Sequence, residues 1–97
     1  MIVKRKDLHE VNHRTDYRIQ EFQDLLGHLV MRRTTPINPF INKPHAGDRY
    51  WFILEGQGTV TVGEEKADVE PGDLIYVPEW TENSLTSDSE VRWICFG

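Results

Sequence analysis

Between Arg49 and Pro78 the chain reads RYWFILEGQGTVTVGEEKADVEPGDLIYVP, and this stretch constrains the fold more than any other. Arg49 to Leu54 is aromatic and β-branched and stops at Glu55-Gly56-Gln57-Gly58. Thr59 to Val62 alternates Thr and Val, the period-two pattern of a half-buried strand. Gly63-Glu64-Glu65-Lys66 turns the chain, and Ala67 to Val69 leads back to Pro71-Gly72-Asp73. A last apolar run, Leu74 to Val77, ends at Pro78. Four short runs separated by turn chemistry predict a continuous antiparallel sheet forming one wall of a barrel.

The flanks extend the pattern. Met1 to Val3 is apolar and is expected as an edge strand, followed by a stretch to residue 18 dominated by charge. Tyr17 to Phe22 fits a strand with a turn at Gln23-Asp24, with one helical turn as the rival; Gly27 breaks whatever precedes it. His28 to Arg33 is predicted as a strand. Thr34 to Pro44 holds Pro36, Pro39 and Pro44 and is expected to be an irregular loop. Within it, Phe40 and Ile41 are expected to fold back onto the core. Glu90 to Phe96 alternates Val91, Trp93 and Cys95 against charged residues, a final strand with Trp93 in the core. Eight or nine strands without a long helix predict an all-β chain.

Bulk properties exclude several classes of function. A chain of 97 residues supplies one hydrophobic core, so residues 1–97 are read as a single domain. The net charge of −5 argues against sequence-independent nucleic-acid binding, which needs a basic face. No apolar run approaches about 18 residues, so no membrane association is expected, and MIVKRKDLHE has no apolar core of a secretion signal. Cys95 is the single cysteine and cannot form an intrachain disulfide, which makes a reducing cytoplasm the default. Between Ile94 and Phe96 it reads as a buried, unreactive thiol.

ILEGQGTVTV followed by VEPGDLIYVPEWTENSL resembles the two motifs of the cupin superfamily, and the resemblance runs from about Asn38 to Leu85. It implies a jelly-roll barrel, a double-stranded β-helix. It also implies a divalent metal held by two histidines and a glutamate from the first motif and one histidine from the second. Counting back from Gly56 places Arg49 at the glutamate, His45 at the second histidine and Lys43 at the first. In the second motif Gly72 and Pro78 match, Trp80 replaces a glycine, and Asn83 falls at the histidine. Lysine and arginine offer no lone pair to a cation, so no metal and no other cofactor is expected. The alternative is a shifted site in which His45 is joined by Asp48 or Glu82.

Along the family's path, residues 43, 45, 49 and 51 share parity, so Lys43, His45, Arg49 and Trp51 are expected to face the barrel interior with Asn83. Buried positive charges call for an anionic partner, arginine's planar fork suits a carboxylate or phosphate, and Trp51 offers a flat wall. The competing reading pairs Arg49 internally with Glu82 or Asp48, lets Lys43 reach solvent, and makes Trp51 a filler of the core. His9 and His13 read as surface residues, His28 as structural, and Trp80 as a lid or a subunit contact.

Three functions follow. The first is a metal-free module binding a small anionic or sugar-like molecule through Lys43, His45, Arg49, Trp51 and Asn83. The second is an isomerase, epimerase, lyase or dioxygenase acting on a sugar or small acid, with His45 as base or metal ligand and Tyr76 or Tyr50 as acid. The third is an assembly domain with a filled barrel. A homodimer is expected, because small jelly rolls leave edge strands that need covering and Met1 to Val3 could add to a neighbour's sheet.

Overall fold

The computed structural model describes residues 1–17 and 27–97. A short 3-10 turn at Arg5–Asp7 leads into β1 (Glu10–Val11) and β2 (Arg14–Asp16). Then come β3 (Leu29–Thr34), β4 (Phe40–Asn42), β5 (Arg49–Glu55) and β6 (Gly58–Val62). The remainder is β7 (Glu65–Val69), β8 (Leu74–Val77), β9 (Asn83–Thr86) and β10 (Val91–Phe96). A six-stranded sheet runs β1-β2-β3-β10-β5-β8 and a four-stranded sheet runs β4-β9-β6-β7, with every pairing antiparallel. The fold is all-β, a jelly roll in which two sheets face each other across one core.

Alternation decides which side chains enter that core. Along β5, Trp51 and Ile53 are buried while Tyr50, Phe52 and Leu54 are exposed; along β10, Val91, Trp93 and Cys95 are buried. Val60, Val69, Val77 and Leu85 face them from the other strands. Trp51 and Trp93 sit 4.7 Å apart between ring centroids, and Phe40 packs edge-on against both at 5.4 and 4.9 Å. The turn after β5 needs glycine. Gly56 has φ +83°, and a Cβ there would lie 2.2 Å from the carbonyl oxygen of Glu90.

Several expectations need correction. The four runs from Arg49 to Val77 do not form one continuous sheet, since β5 and β8 belong to the six-stranded sheet and β6 and β7 to the four-stranded one. Met1–Val3 forms no strand within this chain, and Met1 and Ile2 are exposed. The Pro-rich loop contains β4, because its Phe40–Asn42 core is free of proline and pairs with β9. Phe40 does turn inward, but Ile41, one residue on, points out and is exposed. The charged amino-terminal stretch carries β1 and β2. Their edge is held by charge: Arg33 Nε donates to Glu10 at 2.8 Å and its Nη1 to Glu90 at 2.6 Å. The strand expected at Tyr17–Phe22 and its turn lie almost wholly outside the described residues; Tyr17 itself donates its N–H to the Leu29 carbonyl at 3.2 Å.

Candidate functional site

The strands β3, β4, β5 and β10 bring their inward residues together at one end of the barrel. β3 supplies Arg32, preceded by His28; β4 supplies Phe40 and Asn42; β5 supplies Arg49 and Trp51; β10 supplies Cys95. His45 and Ala46, in the loop before β5, close a cavity of about 210 Å³. At about 30 Å³ per water this is room for roughly seven waters, so a ligand of only modest size fits.

Of the residues singled out in the sequence, the structure brings together His45, Arg49 and Trp51. Lys43 is exposed and lines a different groove, together with Pro44, Glu82 and Asn83. The β4 register turns Phe40 and Asn42 inward, so Lys43, like Ile41, falls on the outward parity. Asn83 shares the inward parity of Leu85 and stands opposite Asn42 in the β4–β9 register. Its Nδ2 donates to the Thr81 carbonyl at 2.9 Å, whereas its buried Oδ1 has no hydrogen-bond partner. Tyr50 and Tyr76 stack on each other on the outer face of the six-stranded sheet, the opposite side from Trp51.

The electrostatics of the cavity come from residues that the sequence reading passed over. The Arg32 guanidinium lies 4.6 Å over the Phe40 ring and 5.9 Å from that of Trp93. Its Nε is buried without a hydrogen-bond partner, and among the described residues no carboxylate stands within ion-pair distance of Arg32 or Arg49. Desolvation, and then the charge of Arg14, holds the Arg32 pKa below its ordinary value. Arg14 itself reaches Asp16 at 3.5 Å. Arg49 donates to the backbone carbonyl of Asp48 at 3.0 Å, not to its carboxylate. That carboxylate accepts the Glu79 N–H at 3.0 Å, so an internal Arg49–Asp48 ion pair is absent, and Glu82 lies in the other groove.

His28 is pushed down to about 4, chiefly by desolvation and then by Arg49, Arg14 and Arg32, so it is neutral at pH 7. Burial pushes the Cys95 thiol up, which suits an unreactive thiol. In the Nδ1-protonated tautomer, His45 donates to the Ala46 carbonyl at 3.1 Å, leaving Nε2 as an acceptor. The missed residues had a readable signal. His28, Val30 and Arg32 share one parity along β3, and Val30 is fully buried.

The cavity does not fit a divalent metal. His28, His45 and Cys95 line it, yet among the described residues no three His, Cys, Asp or Glu side chains are grouped to hold an ion. The guanidinium groups of Arg32 and Arg49 at the same cavity would repel one. Neither Asp48 nor Glu82 joins His45, since Asp48 is engaged by Glu79 and Glu82 lies beside Lys43. Among the described residues no helix is long and apolar enough to cross a membrane.

Comparison with known proteins places this geometry. A protein of Streptomyces coelicolor without assigned function is 44% identical over 48 residues, covering 50% of this chain and 46% of that protein. A gentisate 1,2-dioxygenase of a Streptomyces species is 32% identical over 59 residues, covering 61% of this chain but 15% of the enzyme. The matched stretch thus spans less than half the length of either relative. Among solved structures, a Thermotoga maritima protein described as a predicted oxalate decarboxylase superposes with a TM-score of 0.82 at 12% identity, covering 99% of this chain and 96% of that one. The hydroxypropylphosphonic acid epoxidase of S. wedmorenis, in complex with fosfomycin, gives a TM-score of 0.79 at 16% identity, covering 100% of this chain and 58% of that one. At such identities the structural likeness establishes the fold alone. The family model for the cupin domain matches residues 37–97, which is well over half of the chain and contains both glycine-bearing turns, and on that evidence the chain belongs to the cupin family.

Proposed function

We propose that this cupin domain binds a small organic acid without a metal, through Arg32 and Arg49 at one wall of the cavity and the rings of Phe40 and Trp51 at another. The observation that carries this reading is a pair of guanidinium groups at one small cavity with no carboxylate partner among the described residues. A desolvated arginine is costly unless a counter-charge arrives, and its planar fork accepts a carboxylate through two parallel hydrogen bonds. Neutral His28 and the Nε2 of His45 add acceptor or donor capacity beside that anion. The net charge of −5 makes a positive pocket selective rather than incidental.

The names of relatives and structural neighbours, which include a salicylate 1,2-dioxygenase, support an acid as the ligand class, since they refer to gentisate, salicylate, oxalate and hydroxypropylphosphonic acid. A proton-transfer enzyme using His45 and Tyr76 is less well supported, because Tyr76 belongs to the outer face of the sheet.

Isothermal titration with salicylate, gentisate and oxalate, and with salicyl alcohol as a neutral control, tests the reading in metal-chelated buffer. At least one acid should bind with one site per chain, more weakly at high salt, while the alcohol does not. A saturating acid at 100 times its dissociation constant should add roughly 2.7 kcal/mol to stability. Arg32→Met should abolish the binding and leave the unliganded protein folded. Absence of binding by every acid at millimolar concentration, or binding unchanged in Arg32→Met, would refute it.

A further inference from the structure

β7 and β8 are edge strands of the two sheets, β7 pairing with β6 alone and β8 with β5 alone. The β6–β7 register sets Val60 opposite Ala67 and Val62 opposite Glu65. Ala67 and Glu65 therefore share the inward parity of Val60, which is buried. Both are nevertheless exposed, so among the described residues nothing covers the inner side of β7 there. The result is a cleft of about 390 Å³ between β7 and β8, floored by Val60, Val62, Val69 and Ile75. Val60 and Val69 belong to the buried core, and Val62 and Ile75 are half-buried against it. The cleft shares no lining residue with the arginine cavity.

We propose that this cleft binds a small primary alkylamine, its aliphatic chain laid along the valines and its ammonium group at Glu65 and Asp73. The volume suits a small molecule, since ligand pockets run from about 300 to 1,000 Å³. The floor is made of branched aliphatic side chains, which give water no hydrogen bond. An alkyl chain that displaces this water gains the apolar contact without forfeiting a polar one.

Charge selects the head group. Glu65, Asp68 and Asp73 line the cleft and no basic side chain does; Lys66 falls on the other parity, opposite Thr61. Among the described residues none of the three carboxylates is in an ion pair. Asp68 accepts from Thr59 Oγ1 at 3.0 Å and Asp73 from the Glu70 N–H at 2.8 Å. A carboxylate accepts about four hydrogen bonds, so both keep capacity for an ammonium donor. Glu65 is placed most tellingly, a carboxylate on the inward parity beside Val62 and Ala67. The cleft thus has the opposite selectivity to the arginine cavity, repelling an acid and attracting an amine.

Isothermal titration of the full chain at pH 7 with butylamine, hexylamine and octylamine tests the proposal. One amine should bind per chain, roughly fourfold tighter for each added methylene until the cleft is filled, and more weakly at high salt. Octanol should bind several-fold more weakly than octylamine. Octanoate should not bind to Arg32→Met, the variant in which the arginine cavity cannot take it up. Ala67→Phe fills the cleft from an exposed position and should abolish octylamine binding, while Glu65→Gln should weaken it about twofold to fivefold. Should Ala67→Phe fail to fold, methyl NMR of the wild type replaces it, octylamine shifting Val60, Val62, Val69 and Ile75 and leaving Val30 in place. The proposal is overturned if no amine binds at millimolar concentration, in which case Glu65 only guards an open sheet edge against pairing. It is equally overturned by octanol binding as tightly as octylamine, by binding unchanged in Ala67→Phe or Glu65→Gln, or by methyl shifts that miss the cleft.

Discussion

The backbone N–H of Trp80 donates to the carbonyl oxygen of His45 at 2.8 Å, tying the loop after β8 to the loop that closes the cavity. Two side-chain contacts reinforce the tie, Glu79 accepting from the Gly47 N–H at 3.2 Å and Asp48 from the Glu79 N–H at 3.0 Å. The junction holds Trp80 at φ +61°, in the left-handed region, where the cupin motif has glycine. The tertiary contact outweighs the local preference of the residue.

That strain has a measurable consequence. A left-handed residue with a Cβ costs about 1–2 kcal/mol, partly offset by the greater unfolded-state entropy of glycine. Trp80→Gly should therefore be more stable than Trp80→Ala by about 1 kcal/mol, read from urea midpoints. Equal midpoints would mean that the loop relaxes without penalty in either variant.

In the core, the indole N–H of Trp93 donates to Thr34 Oγ1 at 3.0 Å, and both residues are almost fully buried. Trp93→Ala should cost about 3–5 kcal/mol, far more than Trp80→Ala, whose side chain is 65% exposed. Thr34→Val keeps the shape but orphans the indole donor and should cost about 1–3 kcal/mol. Chemical denaturation of the three variants orders them; a Thr34→Val protein as stable as wild type would show that the indole finds another acceptor.

His28 makes stability depend on pH. Its pKa is about 4 in the folded chain against an ordinary 6.5, so between those values the unfolded chain binds the extra proton and stability falls as pH falls. The loss is complete below about pH 4, where both states are protonated. Allowing for solvent screening at a half-buried group, it amounts to roughly 1–2 kcal/mol. His28→Gln should flatten the stability profile between pH 4 and 6.5. A bound carboxylate facing Arg32 and Arg49 should raise the His28 pKa and shrink the same slope. Unchanged slopes in the variant would assign the pH dependence to other groups.

Two glycines separate strain from collision. Gly56 and Gly72 have φ +83° and +93°, but a Cβ at Gly72 meets nothing within 4 Å, whereas at Gly56 it strikes the Glu90 backbone. Gly72→Ala should cost about 1–2 kcal/mol from the left-handed backbone alone. Gly56→Ala should cost more, because the strand ends at β5 and β10 must part. Thermal melts of the two variants test the order, and equal losses would refute the collision.

The strands between Arg49 and Val77 were legible in the sequence, because period-two alternation and glycine-bearing turns are local signals, but their pairing was not, since β5 and β8 join one sheet while β6 and β7 join the other. The same alternation identified Trp93 as core and turned Trp51 inward, leaving open whether Trp51 fills the core or lines a site. Local signals also placed His45, Arg49 and Trp51 on one wall, while Lys43 left it because β4 turns Phe40 and Asn42 inward and gives Lys43 the outward parity. What the sequence by itself could not determine was the other wall. Arg32 and His28 come to Arg49 through the β3–β10–β5 order of the sheet, a pairing of strands far apart in the chain. Whether an arginine is paired or orphaned depends on which carboxylates the tertiary fold brings near it. Asp48 is adjacent to Arg49 in sequence, yet its carboxylate turns to Glu79. Alternation sets the direction of a side chain, but only the packed sheets decide what it faces.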